Sequence, residues 1–410
     1  TWKKLYEALK DTGLRTPYWG TLSGQKATIG GGLSQNSIFW GSGEFGSAAD
    51  SVIGLDVVLA DGSIVKTGSA AQLNGSPFFR HFGPDLTGLF TCDAGTLGFK
   101  ATATFRLIPV LPAKQFAAFD FKTASSIISA MSEIARSGLA MECFGFDPFL
   151  QQQRMKRESL GADITALAAV MKTSDSLLGA VKDGAKIALA GRGYMDDVNY
   201  SLQVMIEDRN TDAAKARLGE LREICSRHEA NEIENSIPKL VRANPFGPLN
   251  SMLGPNGERW VPIHALLPHS KADIAHQKMK KIISSNSALI AQHSIGIGCL
   301  FATVSTNCFV LEPVFFWPDE ITEVHRHAVE DDHLARLKGF PKNSNARTAV
   351  EKLRTEMLAM FTEIGAVHMQ IGKAYNYRDG IRSENWKLMK AIKDKVDPTG
   401  KINPKSLGLD

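Results

Sequence analysis

Three consecutive glycines, Gly30, Gly31 and Gly32, lie inside the stretch ATIGGGLSQNSIFWGSGEFGSAADSVIGLDVVLADGS (27–63), and they constrain this chain more than any other feature. A run without side chains weakens helix and strand interiors alike. It suits places where backbone takes positive φ or comes close to another group. Such a loop can present several N–H groups to a phosphate or to polar ring edges. A second Gly-rich turn, Gly41-Ser42-Gly43 to Gly46, follows within one loop length. Neither GxxxxGK[ST] nor GxGxxG is present. On spacing alone, a flexible surface loop and a ligand cradle are both open. The segment runs on into SVIGLDVVLADGSIVKTGS, two apolar runs about Asp61-Gly62, which predicts a β-hairpin.

A related segment, GPDLTGLFTCDAGTLGFKATATFRLIP (83–109), places Gly83-Pro84-Asp85-Leu86 and Ala94-Gly95-Thr96-Leu97-Gly98 on either side of a short apolar helix and feeds a strand. Before these, residues 2–14 (WKKLYEALKDTGL) predict a short amphipathic helix with Trp2, Leu5, Leu9 and Leu14 as its stripe. Prolines end the strand run 99–112 and suggest a domain boundary near 112. From about 115 to 345, strand-like and helix-like segments alternate, with a hairpin turn at Ser305-Thr306-Asn307. This predicts an α+β layer, helices on one face of a mainly antiparallel sheet. A helical insertion at 151–193 breaks the rhythm. Its part LLGAVKDGAKIALAG (177–191) reads as a packed surface helix, with a membrane-touching lid as the alternative. Two helices, around 346–364 and 383–395, precede a type I turn at Asp397-Pro398-Thr399-Gly400.

A chain of 410 residues exceeds one ordinary core and implies two or three. Composition is globular, with 43% hydrophobic and 22% charged residues, which excludes disorder, collagen and a disulfide scaffold. A net charge of +4 is too mild to argue for nucleic acid. Cys92, Cys143, Cys225, Cys299 and Cys308 are far apart and odd in number, and read as reduced, buried thiols of a cytoplasmic protein. No signal peptide is visible, although the chain opens on Thr1. Ile282 to Leu311 carry no formal charge over a length that would span a bilayer. Ser284, Ser285, Asn286, Gln292, His293, Ser305, Thr306 and Asn307 punctuate it, so buried sheet is expected.

The motifs GGxLxxN…G…DxVxGLxVVLADG and PDLxGLFxxxxGTLG, with ATFRLIP after it, and the ending VDPTGKINPKSLGL (396–409) occur here in one order. Together they resemble the FAD-linked oxidases of the vanillyl-alcohol oxidase superfamily, to which D-lactate and glycolate dehydrogenases and 4-cresol dehydrogenase belong. The resemblance covers residues 1–112 and 346–410; the middle matches in pattern only. It implies an α+β protein with a PCMH-type FAD-binding domain at 1–112 and a ferredoxin-like antiparallel-sheet cap (substrate) domain at 113–345. The C-terminal helices, 346–410, are expected to return to the FAD domain. The family's pyrophosphate loop lies before the helix that starts here at Trp2, so that subdomain is expected to be lacking. The residue often used for covalent flavin attachment precedes Trp2 as well.

Carried over by motif, the implied FAD-binding residues are Gly30, Gly31, Gly32, Leu33, Ser34, Asn36, Gly41, Ser42, Gly46 and Asp50. Val52, Ile53 and Gly54 are placed near the ring or ribityl. Gly95, Thr96, Leu97 and Gly98 line the cofactor, and Asn403 with Pro404 closes over it. Some of these glycines are expected to serve turns only. Family members that hold a divalent metal carry GHxGDGNxH and EHG. Here the matching strand is IGIGCLFATVSTN and the late motif is Gly365-Ala366-Val367-His368, so no metal is predicted. His325 and His327, with His333, could look like metal ligands, but His325 and His327 would lie on different helix faces, and a solvated charged segment is expected there.

A second constellation, GAVHMQIGKAYNYRDGIR (365–382), crowds His368, Gln370, Lys373, Tyr375, Tyr377, Arg378 and Arg382 together. In the family this region runs over the substrate side of the flavin, and one branch holds a phenolate there with a Tyr-Arg pair that Tyr377-Arg378 resembles in type. Oxidising CH–OH needs a base for the hydroxyl proton and a hydride path to flavin N5, and a cation can fix a substrate carboxylate or stabilise anionic reduced flavin. His368 is the expected base, Arg378 or Lys373 the cation, and Tyr375 a further catalytic candidate. A packing role for His368 and a solvated face for the arginines remain open. Trp260 and His264, on one side of a predicted cap strand, are substrate candidates with Gln370 and Tyr377. The expected activity is FAD-dependent oxidation of a small 2-hydroxy acid or alcohol by hydride transfer to flavin N5. Electrons would pass to oxygen, a quinone, a cytochrome or an electron-transfer flavoprotein. Alternatives are an oxidase or dehydrogenase of 4-hydroxybenzylic alcohols or alkylphenols, and a flavin-poor structural or accessory subunit. Assembly as a homo-oligomer is open.

Overall fold

The computed structural model describes residues 1–157 and 197–409. The chain divides into two compact units, Thr1–Val110 with Val367–Asp410, and Leu111–Ala366.

In the first unit, α1 (Trp2–Leu9) begins at Thr1, whose hydroxyl accepts from Lys4 N–H at 3.4 Å. It stops well short of Leu14. Gly13 takes φ +71°, and Leu14–Arg15 form β1, paired with a later strand at Ile108–Pro109. Trp2 is fully buried, edge-on to Tyr18 at 5.0 Å. The glycine triplet opens α2 (Ile29–Ser34), capped by Thr28, whose hydroxyl accepts from Gly31 N–H at 3.1 Å. Gly32 answers to packing, since a Cβ there would stand 2.6 Å from Trp2 Nε1. β2 (Val52–Val58) and β3 (Ile64–Lys66) form the hairpin read from Asp61-Gly62. Gly62 takes φ +86°, and Ser63 donates from N–H and hydroxyl to Asp61 Oδ1 at 2.9 and 2.6 Å. β4 (Phe99–Phe105) pairs with the other edge of β2, and the strand Ile108–Pro109 is β5.

The second unit runs β6 (Ala113–Phe121), α3 (Ala124–Arg136), β7 (Glu142–Phe146), α4 (Pro148–Arg157), β8 (Tyr200–Asp208), α5 (Thr211–Arg227), β9 (Asn231–Ile233), α6 (Ser236–Ala243), β10 (Val261–Pro262), β11 (Ala265–Leu267), α7 (His269–Ser285), β12 (Gly296–Val304), β13 (Cys308–Phe316) and α8 (Ser344–Glu363). Its strands make one sheet, ordered β10-β13-β12-β7-β8-β6-β9, with β11 also on β13 and every pairing antiparallel. This is the expected α+β class with an antiparallel sheet. Thr123, Asn210 and Asn343 accept from backbone N–H at the starts of α3, α5 and α8. α3, α5 and α7 cover one sheet face, and α8 packs on α7. The buried carboxylate of Asp319 fixes the start of α8: Arg347 grips it through Nε (2.6 Å) and Nη2 (2.9 Å), Arg259 Nε stands 3.1 Å away, and Trp317 Nε1 donates at 3.0 Å.

Four expectations need correction or restriction. The uncharged run 282–311 is half helix: α7 reaches Ser285, a further helix spans Ser287–Gln292, and only Gly296 onward is sheet. Hydropathy alone does not separate a buried strand from an apolar helix end. Residues 346–366 lie with the second unit, because the buried face of α8 (Ala346, Ala349, Val350, Leu353, Met357) packs on α7. His325 is buried. Its Nδ1 accepts from Thr322 N–H at 3.1 Å and caps a short helix, whereas His327 is 79% exposed. The insertion expected at 151–193 lies, beyond α4, outside the described residues, and 177–191 with it. All five cysteines are unpaired, with Cys143, Cys225 and Cys299 buried and Cys92 and Cys308 half-buried. Among the described residues no helix is long and apolar enough to cross a membrane.

Candidate functional site

Segments far apart in sequence meet at the C-terminal end of α2. Cys92 N–H donates to Leu33 O, Ala94 N–H to Ser34 O and Gln370 N–H to Gln35 O, each at 2.9 Å. Asn36 Oδ1 accepts from Ala49 N–H at 3.3 Å, and Asn403 Nδ2 donates to Ala94 O at 2.6 Å. Asn36, Cys92, Ala94, Gln370 and Asn403 hold φ of +51°, +55°, +51°, +53° and +43°. A side chain in that region costs energy, and such residues gather at ligand sites. The structure therefore brings Leu33, Ser34, Asn36, Gln370, Asn403 and the Gly95 loop together.

The loop itself is fixed from within and from behind. The buried Asp93 carboxylate accepts from Gly95 N–H (2.9 Å), Leu97 N–H (3.3 Å) and the Lys100 ammonium (2.5 Å). Burial pushes the Lys100 pKa down, and Asp93 opposes that shift. From behind, the fully buried Lys393, on the C-terminal helix Ser383–Val396, donates to Thr96 O (2.9 Å), Ile402 O (2.8 Å) and Asp397 Oδ2 (2.5 Å). Asp397 also accepts from Lys401 and Ile402 N–H at 3.0 and 2.7 Å. The closing VDPTGKINP segment is thus a clasp on the Gly95 loop. Sequence reasoning read Asp397 as a turn residue only; the i,i+4 spacing of Lys393 and Asp397 was the available signal.

Other predicted residues have structural duties. Gly41 takes φ +87°, and a Cβ on it would stand 2.1 Å from Pro17 O. Ser42 Oγ accepts from Phe39 N–H at 2.9 Å, and Gly46 closes that turn at φ +85°. Asp50 caps the helix Ala48–Ser51 through Ser47 N–H and hydroxyl, at 2.7 and 2.8 Å. Val52, Ile53 and Gly54 belong to β2, and a Cβ on Gly98 would stand 2.4 Å from Val57 Cγ1.

In the second constellation, His368 stacks on the buried Tyr375, ring centroids 4.4 Å apart at 26°. Lys373, Tyr375, Tyr377 and Arg378, with Asn376 and Lys405, line a pocket of about 330 Å³. Lys405 was not read from the sequence; it arrives on a strained turn, with φ +67° at Lys405 and +57° at Leu407. Among the described residues, Lys373, Arg378 and Lys405 have no carboxylate partner, and Arg378 lies over the Trp386 ring at 5.4 Å. Burial raises the Tyr377 pKa, helped by Cys92. Trp260 and His264 belong to the second unit. Trp260 meets Phe316 edge-on at 5.5 Å, and His264 Nε2 stands 3.4 Å from Glu312 Oε2. Among the described residues, no three His, Cys, Asp or Glu side chains converge as metal ligands.

A family model described as an FAD binding domain matches residues 1–68. Glycolate oxidase subunit GlcD of Bacillus subtilis is 40% identical over 83 residues, 20% of this chain and 16% of that protein. D-lactate dehydrogenase (cytochrome) 1, mitochondrial, of Saccharomyces cerevisiae is 29% identical over 138 residues, 34% of this chain and 22% of that protein. The fold matches p-cresol methylhydroxylase with substrate bound, at a TM-score of 0.68 and 15% identity, over 100% of this chain and 75% of that one. Together the family model and the relatives support an FAD-linked oxidase of the vanillyl-alcohol oxidase superfamily. The chain spans less than a quarter of the length of either sequence relative.

FAD is the cofactor of this superfamily, and the first unit fits it. Bare backbone is held in place where side chains would fill a cradle. A Cβ on Gly95 would meet only Ser34 Oγ at 3.8 Å, and one on Gly31 only Thr28 Oγ1 at 3.0 Å. The space beside both glycines is thus left clear of other side chains, while their N–H groups are held by Thr28 and Asp93.

Proposed function

We propose that this protein is an FAD-dependent oxidoreductase that oxidises the CH–OH group of a small 2-hydroxy acid. The carrying observation is the pocket of about 330 Å³ where Lys373, Arg378 and Lys405 meet with no carboxylate partner among the described residues. Like charges gathered in one cleft repel one another and favour an anion there. Glycolate and D-lactate, named in the two relatives, are 2-hydroxy acids with that charge. The Arg378 guanidinium can grip a carboxylate with two parallel hydrogen bonds, and Lys373 adds a point charge. His368, held flat by Tyr375, takes the hydroxyl proton, the usual task of imidazole near neutral pH. Tyr377 and Gln370 complete the substrate contacts. Gly30 to Ser34, Asn36 and Gly95 to Gly98 would hold FAD by backbone, with Asn403 fixing the loop. When bound, FAD supplies the hydride acceptor and hands electrons to oxygen, a quinone, a cytochrome or an electron-transfer flavoprotein.

The test is anaerobic mixing of the FAD-loaded protein with D-lactate, glycolate, 4-hydroxybenzyl alcohol and p-cresol. Bleaching of the flavin by a hydroxy acid is expected. Bleaching by the phenols alone would assign the alkylphenol branch instead. Loaded flavin that none of the four reduces would refute the reading.

A further inference from the structure

In the first unit, the segment between β3 and β4 turns apolar side chains outward. Residues 71–79 and 81–86 are all exposed, with Leu73 at 84%, Phe78 at 74%, Phe79 at 54% and Phe82 at 49%. The backbone of this loop is nevertheless fixed. Ser69 Oγ donates to Ser76 O at 2.7 Å and accepts from Phe78 and Phe79 N–H at 2.9 and 3.0 Å. Ser69 N–H donates in turn to Phe79 O at 2.7 Å. Further along, the Arg80 guanidinium holds Asp85 through Nε and Nη2, at 3.1 and 2.8 Å, and donates from Nη1 to Ala49 O. A loop tied down in this way keeps its phenylalanines in water, which is unfavourable for the isolated chain.

The neighbouring sheet continues the apolar surface. Gly54, Asp56 and Val58 share one face of β2, opposite to the buried Leu55 and Val57. A Cβ on Gly54 would stand 3.5 Å from Pro77 Cβ, so the loop lies over one end of this face. At the other end Val58 is flanked by Ile64 of β3 and Phe99 of β4, 61% and 65% exposed. Taking ~200 Å² for an aromatic side chain and slightly less for Leu and Ile, the loop residues with Ile64 and Phe99 leave about 700 Å² of apolar surface in water. The largest apolar patch on an ordinary monomer is about 300–600 Å². One side of a standard protein interface covers about 800 Å².

The charges set among these residues are paired within the chain, Lys66 with Asp56 at 3.1 Å and Arg80 with Asp85 at 2.8 Å. The patch therefore offers little to a strongly acidic or basic partner. A second copy suits it: a two-fold axis lays the same apolar residues on one another, and homodimer contacts are the more apolar class of interface. We propose that this face is the contact of a two-fold homodimer, with Phe78, Phe79 and Phe82 as its anchors.

The test is sedimentation equilibrium of the FAD-loaded chain over a range of micromolar concentrations. The parent should sediment at twice its chain mass of 44.6 kDa. Phe78→Asp sets a charge among the anchors and should raise the dimer dissociation constant about a hundredfold or more. Leu73→Asp should raise it about tenfold. Both positions face water in the single chain, so each variant should keep its flavin and melt like the parent diluted below its dissociation constant. A parent that stays monomeric throughout overturns the proposal. So does a dimer that both variants leave intact, because its contact then lies on another face. A monomeric parent that floats with phosphatidylcholine vesicles, while Phe78→Asp does not, would overturn it in favour of a lipid surface.

Discussion

Lys393 keeps its ammonium fully buried, bonded to two carbonyls and to Asp397. Burial alone would raise the Asp397 carboxyl; the hydrogen bonds from Lys393 and the Ile402 and Lys401 amides bring it below the ordinary carboxylate value. Its stabilising contribution is therefore complete above about pH 4 and is lost as pH falls through the lowered folded value. Removing one partner leaves the other charge buried and unpaired, so Lys393→Met should cost about 3–5 kcal/mol in urea unfolding near neutral pH. Lys393→Met with Asp397→Leu should recover much of that loss; a double variant no better than the single would contradict this account. His368→Ala should leave flavin bound yet slow its reduction about a hundredfold, the ordinary contribution of a general base. Unchanged reduction kinetics would take His368 out of the mechanism. Residue types and spacing made these side chains visible in the sequence unequally. His368 and Arg378 stood out by crowding, whereas Lys393 is one lysine among many until its burial is known.

At the scale of elements, local chemistry was legible and partners were not. Asp61-Gly62 specified its own turn, because one residue needed φ above zero and its neighbour bonded the next N–H. The triplet Gly30 to Gly32 advertised a backbone duty, yet Gly32 is there for Trp2, which sits 30 residues earlier on α1, a contact that spacing cannot reveal. Gly32→Ala puts a Cβ 2.6 Å from Trp2 Nε1, so it should lower stability by about 1–3 kcal/mol, read as a fall in melting temperature. A melting temperature within error of the parent would show that Trp2 yields freely. Alternation along β8 shows Leu202 and Val204 against Ser201 and Gln203, but which face the helices cover is a fact of packing. The run 282–311 was misread for the same reason, its apolar content being compatible with the end of α7 as well as with β12.

At the scale of the molecule, ordered motifs at both ends of the chain gave the superfamily, and the structure explains why they are so far apart in sequence. The end of α2, the Gly95 loop and the closing clasp all belong to one unit, assembled from residues 1–110 and 367–410. The middle of the chain, matched only in pattern, forms the other unit, with an antiparallel sheet that alternating segments did predict. The pocket was the least legible part, because a lining residue such as Lys405 reaches it from a turn whose neighbours come from elsewhere in the sequence. The central claim is that this chain holds FAD. The most direct test is a visible absorption spectrum of the purified 410-residue protein after incubation with FAD and removal of excess, repeated on the filtrate after denaturation. The account predicts about one flavin per chain, released on denaturation. A colourless protein after saturation with FAD would contradict it.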